Sequence, residues 1–541
     1  MSAPWLNLGQ ILKVNACKYP DKLCLKDRNR RFSFAETNRR VNKLAHALLK
    51  SGLKKGDKIS VLLENCVEIV ETYLACAKTG IVINPINFRL TANDVAYICD
   101  NADSKTFIVD EEFTPLVDSI RKEIPKVKDY IVVPSTNSLV SPSGKGENPP
   151  IRSPLNKGGR RDLEYHNYND LLNKSSDNEP ECKVNPEDTW VLLYTSGTTG
   201  KPKGVVRSHE SYTAFYLINA VDFGFTEDDI CLNVMPLCHV NSTFFSFTFT
   251  YVGGAIYINP ARQFNPENIL QVIQKEKITF ISLIPTHYSI ILSVPPAVKS
   301  KYDVSSIKKL LCSSAPARGD IKKRIMEFFS GVQLYEGYGS TEAGIVTVLK
   351  PQEQFTKLGS IGRESCGTDC VKIMDENGKE VPVGEVGELY SRGPMLFDEY
   401  YKLPEKTKKS FQGEWFSAGD LAKKDEDGYY YIVDRKDNLI ITGGEHVYPS
   451  EVEEIIAQHP KVLEVAVIGV TDAKWGESVK AIIIPKTGVN IPPEEIMEFC
   501  KDKLAGYKKP KSVECIKPEQ MPRTASGKIL HRELRKKYEK I

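Results

Sequence analysis

The sequence predicts an α/β protein, with a large N-terminal domain of parallel-rich sheets packed with helices and a small α+β C-terminal domain. Three observations carry this expectation. The 541 residues exceed what one hydrophobic core usually organises. Between about residues 55 and 260, apolar strand-like runs alternate with helical patterns, the signature of βαβ units and a helix-covered parallel sheet. Near residue 437 the pattern changes to a shorter set of strands and helices, which divides the chain into domains 1–436 and 437–541.

The elements follow in order. "MSAPWLNLGQILKVNACKYPDK" lacks a basic-then-apolar signal pattern and predicts a short amphipathic helix. "KISVLLEN" predicts a buried strand, "VEIVETYLACAKTG" a helix, "IVINPIN" a strand, "TANDVAYICDNA" a helix and "KTFIVD" a strand. Residues 135–163 are rich in Pro, Gly, Ser and charge, with almost nothing to bury, and are expected to form an exposed, mobile insertion. "STFFSFTFTYVGGAIYI" is the most apolar stretch, but hydroxyls and Gly253-Gly254 interrupt it, so no transmembrane segment is expected. Further buried strands are expected at 278–284, 307–313 and 385–392. The C-terminal part predicts a helix at 449–459, the strands "VLEVAVIGV" and "ESVKAIIIPK", a helix at 493–505, the strand "SVECI" and a closing helix.

Composition narrows the function classes. Hydrophobic residues at 41% and charged residues at 26% are ordinary for a soluble globular protein. The balance of 73 Lys and Arg against 70 Asp and Glu leaves a net charge of +3, too little to argue for nucleic acid or an anionic membrane. The basic tail from His531 to Lys537 is expected to be a solvated helix face. Thirteen scattered cysteines without a CxxC pair indicate reduced, cytoplasmic usage. Cys366 and Cys370, with no histidine nearby, make a poor zinc site.

The segment 194–204, "YTSGTTGKPKG", follows the apolar run Trp190 to Leu193. Its glycines let backbone N–H groups converge, and its hydroxyls and lysines add donors and charge, a combination suited to a polyphosphate. It is not the P-loop of NTPases. Gly197 and Gly200 are too close, and Pro202 follows Lys201 where that motif needs a hydroxyl and a helix start.

"LYTSGTTGKPKGVV" resembles the phosphate-binding signature of the adenylate-forming enzymes, a superfamily that includes acyl-CoA synthetases. Other motifs of that family recur in order along nearly the whole chain. The resemblance implies that Thr195, Ser196, Gly197, Thr198, Thr199 and Lys203 grip the β- and γ-phosphates of ATP. "YEGYGSTE" is similar to the adenine and magnesium motif, so Glu336, Gly337, Tyr338 and Gly339 would line the nucleotide. Tyr338 would stack on the base, Thr341 would bond the α-phosphate and Glu342 would hold Mg2+. Read without the family, the same string suits a helix N-cap after a strand. "SSAPA", with Ser314 and Ala315, resembles the other wall of the adenine pocket. Asp420 and Arg435 match ribose or phosphate contacts, and Gly443 and Gly444 match a loop facing the pantetheine channel.

Lys528 in "PRTASGKIL" resembles the lysine that reaches the substrate carboxylate and the α-phosphate, where a fixed cation assists attack of one anion on another. His239 matches a position beside the acyl group, and Val240, Asn241, Thr243 and Ile284 fall where the family builds its acyl pocket. Asp437 matches the pivot about which the mobile C-terminal domain swings. The implied activity is adenylation of a fatty, aryl or carnitine-like carboxylic acid with release of pyrophosphate, then transfer of the acyl group to CoA. Alternatives are an enzyme that loads a carrier protein, and an ATP-dependent phosphotransferase. A homodimer stays open, and the expected location is cytoplasmic.

Overall fold

The structure, a computed structural model, describes residues 6–28, 30–135, 165–195, 201–313, 317, 319–523 and 529–539. Ser196, Gly197, Thr198, Thr199, Ser314, Ala315 and Lys528 lie outside the described residues, as does the expected insertion beyond Ser135. The chain forms two compact units. Of the described residues, one gathers those up to Thr195, 202–370 and 392–409, and the other holds Lys201, 371–391 and those from Ser410 onward. Asp437, at the expected domain start, therefore lies inside the second unit.

Among the described residues, the first unit contains two large mixed sheets. In one, strands Leu23–Asp27, Ala255–Ile258, Ile230–Asn233, Phe280–Leu283, Lys309–Ser313 and Gln333–Ser340 run parallel in that spatial order. The other runs parallel through Thr189–Thr195, Val82–Pro85, Lys58–Leu62, Ser104–Asp110 and Asp129–Val133. The strands expected at "KISVLLEN", "IVINPIN", "KTFIVD", 278–284 and 307–313 are all present, alternating with helices Val67–Thr79 and Ala92–Asn101.

Local chemistry accounts for where helices begin and end. Thr91 caps the helix at 92–101, accepting from the Asp94 N–H while Asp94 answers with its carboxylate. Helix α1 (Val240–Val252) carries the most apolar stretch. It stops at Gly253, whose φ of +90° suits a residue without Cβ. Its phenylalanines fill the main core: Phe247 packs edge-on to Tyr73 at 5.1 Å, and Tyr73 meets Trp190 at 6.0 Å.

In the second unit, Lys372–Met374, Gly387–Tyr390, Asp420–Lys424 and Tyr430–Arg435 form an antiparallel sheet. The strand expected at 385–392 is here, alternately buried and half-buried rather than enclosed, as suits an antiparallel sheet with one covered face. Beyond it, strands Val462–Asp472 and Gly476–Pro485 form a long hairpin flanked by Pro449–Ala457, Ser512–Cys515 and His531–Tyr538. The expected helix at 493–505 ends sooner, at Phe499. Among the described residues, no helix is long and apolar enough to cross a membrane.

Candidate active site

The described ends of the glycine-rich segment lie on two paired strands. Strand β1 (Thr189–Thr195) pairs antiparallel with β2 (Lys203–Ser208), and Thr195 lies opposite Lys203. Trp190 anchors the hairpin, buried and donating its indole N–H to the Tyr73 carbonyl at 3.0 Å. The segment thus leads into a strand, and Pro202 has no helix to obstruct. The Thr195 hydroxyl is buried without a hydrogen-bond partner among the described residues, which suits a group that bonds a ligand.

The second motif is also a hairpin. Strand β3 (Gln333–Ser340) turns at Thr341 and Glu342 into the antiparallel strand β4 (Gly344–Leu349), so the helix N-cap alternative is overturned. A bulge between Tyr338 and Gly339 reshapes the ladder just before the turn. A Cβ on Gly339 would lie 2.0 Å from the Gly344 carbonyl oxygen, which explains its small side chain. Tyr338 and Thr341 are half-buried. The buried Glu336 carboxylate pairs with Lys322 and accepts from the Ala317 N–H at 3.3 Å.

The two hairpins meet through side chains. Lys203 Nζ stands 2.8 Å from Glu342 Oε1. The Tyr400 hydroxyl, from strand β5 (Glu399–Tyr400), donates to the same oxygen at 2.8 Å and lies 2.7 Å from Lys203 Nζ. Burial pushes the Glu342 carboxyl pKa up, but the charge and hydrogen bond of Lys203, with help from Tyr400, bring it below its ordinary value. Sequence reasoning misses Tyr400; it stands 58 residues from Glu342, and no local pattern marks it.

His239 precedes α1, with Nε2 3.4 Å from Asn87 Nδ2. Burial, and then the charge of Arg89, bring its pKa down to about 4, so the ring is neutral near pH 7. Asn241 donates to the Ser313 hydroxyl at 2.8 Å and accepts from Ser282 at 3.1 Å. Asn233, Asn241, Ser242, Phe245, Ser246 and Ser282 line a small cavity between α1 and its sheet. Val240 and Ile284, each next in sequence to one of these groups or two residues from it, are half-buried. Thr243 is fully buried, donating to the Val240 carbonyl at 3.1 Å and lying 3.3 Å from the Tyr212 hydroxyl. Its position on α1 turns it into the core.

In the second unit, Asp420 and Arg435 face each other across paired strands, with Arg435 Nε 2.7 Å from Asp420 Oδ1. Gly443 and Gly444 form the tight turn between strands Ile440–Thr442 and Glu445–Val447, with φ of +60° and +87°. A Cβ on Gly443 would lie 2.8 Å from the Trp475 ring. Asp437 occupies a short 3-10 turn, Lys436–Asn438, after strand Tyr430–Arg435.

Lys203, Glu342 and Tyr400 thus join two β-hairpins of an α/β protein. Residues 12–401 match the AMP-binding enzymes and residues 451–528 match the AMP-binding enzyme C-terminal domain. The chain is 33% identical to a feruloyl-CoA synthase of an Amycolatopsis species over 508 residues, covering 94% of each protein. It is 31% identical to a long-chain-fatty-acid–CoA ligase of Mycobacterium tuberculosis over 514 residues, covering 94% of this chain and 93% of the relative. An anthranilate CoA ligase solved with anthranoyl-AMP superposes with a TM-score of 0.85 at 28% identity, covering 99% of this chain and 98% of that one. The chain belongs to the adenylate-forming AMP-binding enzymes, and within them to the acyl-CoA synthetases. It is an AMP-forming acid–thiol ligase that uses ATP and CoA.

Proposed function

We propose that this ligase activates a fatty or aryl carboxylic acid, with Mg2+ accompanying ATP, in the cytoplasm. The carrying observation is the junction of Lys203, Glu342 and Tyr400 between the glycine-rich hairpin and the Thr341–Glu342 turn. The choice of acid is supported by the relatives, which include a feruloyl-CoA synthase and a long-chain-fatty-acid–CoA ligase, and by the solved anthranilate CoA ligase.

In the first half-reaction a carboxylate oxygen attacks the α-phosphorus of ATP, and the bond to the bridging oxygen breaks to release pyrophosphate. In the second, the CoA sulfur attacks the acyl carbon, its proton passes to solvent, and the carbon–oxygen bond breaks to release AMP. Lys203, with Thr195, Ser196, Gly197, Thr198 and Thr199, holds the β- and γ-phosphates, and Thr341 bonds the α-phosphate. Ser314 and Ala315, with Tyr338 and the backbone of Glu336, Gly337 and Gly339, enclose the adenine. Asp420 and Arg435 serve the ribose. Lys528, the last residue matched by the C-terminal family description, steadies the attacking carboxylate. Gly443 and Gly444 face the pantetheine, and Asp437 is the pivot. His239, Val240, Asn241 and Ile284 surround the acyl group.

Glu342 would hold Mg2+. A single carboxylate kept ionised, with nucleotide phosphates completing the shell, fits how this hard cation is usually bound. When bound, the ion supplies charge neutralisation of the departing pyrophosphate. A panel of alkyl, aryl and hydroxylated acids, offered with ATP, Mg2+ and CoA and followed by AMP release, tests the assignment. AMP release with alkyl or aryl acids is expected, and release with none of them would refute it.

A further inference from the structure

Arg207 lies four residues beyond Lys203 on β2, so both side chains leave the same face of the strand. Its guanidinium is fully buried. Nη1 donates to the Thr341 carbonyl at 2.6 Å and reaches the Glu342 carbonyl at 3.4 Å, while Nη2 donates to the Met395 carbonyl at 2.6 Å. The Glu342 carbonyl also accepts from the Phe397 N–H at 2.7 Å. The rings of Phe244 and Tyr212 flank the guanidinium at 4.9 and 5.2 Å.

Stability alone does not explain such a residue. A guanidinium buried against carbonyls, without a carboxylate bonded to it, carries a desolvation cost that a methionine or leucine between the same aromatic rings would avoid. What the arginine gains is geometry. Its planar fork fixes two backbone segments at once: the turn bearing Thr341 and Glu342, and the segment from Met395 to Tyr400 that delivers the Tyr400 hydroxyl.

We infer that Arg207 is a positioning residue for adenylation, holding the Thr341–Glu342 turn by its carbonyls while Lys203 engages the Glu342 carboxylate from the same strand face. The inference rests on the ligase assignment for its reaction, but its binding test does not. Thr341 and Glu342 serve the α-phosphate and its accompanying cation, so loosening the turn weakens the first half-reaction selectively.

Arg207→Met and Arg207→Lys, with the full-length wild type, test this. Three measurements are compared: MgATP and AMP affinity, acid-dependent exchange of labelled pyrophosphate into ATP, and thioester formation from presynthesised acyl-adenylate. Arg207→Met is expected to slow exchange about 10- to 100-fold and to weaken MgATP more than AMP, with thioester formation changed less than about threefold. Arg207→Lys, which keeps a donor, recovers part of the loss. Unchanged exchange, or equal loss of both half-reactions and both nucleotides, would overturn the role. If the wild type itself exchanges with no acid, the ligase assignment fails, and the MgATP-against-AMP comparison still decides the role of Arg207.

Discussion

Lys203 and Glu342, far apart in the chain, meet at 2.8 Å, with the Tyr400 hydroxyl bonded to the same carboxylate oxygen. The pair sits where the glycine-rich hairpin meets the Thr341–Glu342 turn. It gives the lysine a stored position and keeps the carboxylate ionised despite burial.

Lys203→Met removes the charge that opposes burial at Glu342. Exchange of pyrophosphate is expected to fall about 100-fold or more. The sign of the pH effect is fixed. With Lys203 present, the folded-state pKa of Glu342 lies below its unfolded value, so the pair stabilises the fold above pH 4.5 and this is lost as pH falls through the folded pKa. Without Lys203 the Glu342 pKa rises, and the acid limb of the pH–rate profile moves to higher pH. The double variant Lys203→Met with Glu342→Gln is expected to regain thermal stability over Lys203→Met without regaining exchange.

Tyr400→Phe deletes one hydroxyl between the two charged groups and leaves the ring beside Lys203. A loss of about 1 kcal/mol in stability is expected by denaturant unfolding, with a several-fold rise in the KM for MgATP.

Much of this is legible in the sequence because it is local. Buried strands announce themselves as apolar runs, and the glycine-rich segment concentrates its chemistry within eleven residues. The strand at 387–390 is visible as a run but not as part of an antiparallel sheet, since four residues do not reveal whether one face or both are covered. Tyr400 and Lys322 are invisible, because each matters through a partner far away or on another element. In the acyl region the helical phase of Thr243 sets its burial, and a helix with apolar residues on every side does not display that phase in its sequence.

Burial lowers the pKa of His209 to about 3, and burial with the charge of Arg89 lowers those of His239 and His287 to about 4. Each binds a proton more readily unfolded, with an ordinary value of 6.5, so the fold loses stability as pH falls from about 6.5 toward 4. His209, stacked on Trp190 at 5.7 Å, is the best probe. His209→Phe is expected to flatten the fall of Tm over that window, and an unchanged slope would contradict the assignment.

Lys528→Ala and Asp437→Pro separate the half-reactions. The first is expected to slow adenylation about 100-fold or more while sparing thioester formation from supplied acyl-adenylate. The second, which restricts the backbone at the pivot, is expected to spare adenylation and slow thioester formation. Rapid-quench measurement of each step checks both.

The most direct measurement is exchange of labelled pyrophosphate into ATP by the wild-type chain with a panel of carboxylic acids and Mg2+. Exchange that requires an acid, and AMP with acyl-CoA once CoA is added, is the expected result. ADP as the nucleotide product, or no acid-dependent exchange with any acid, would contradict adenylate formation at this site.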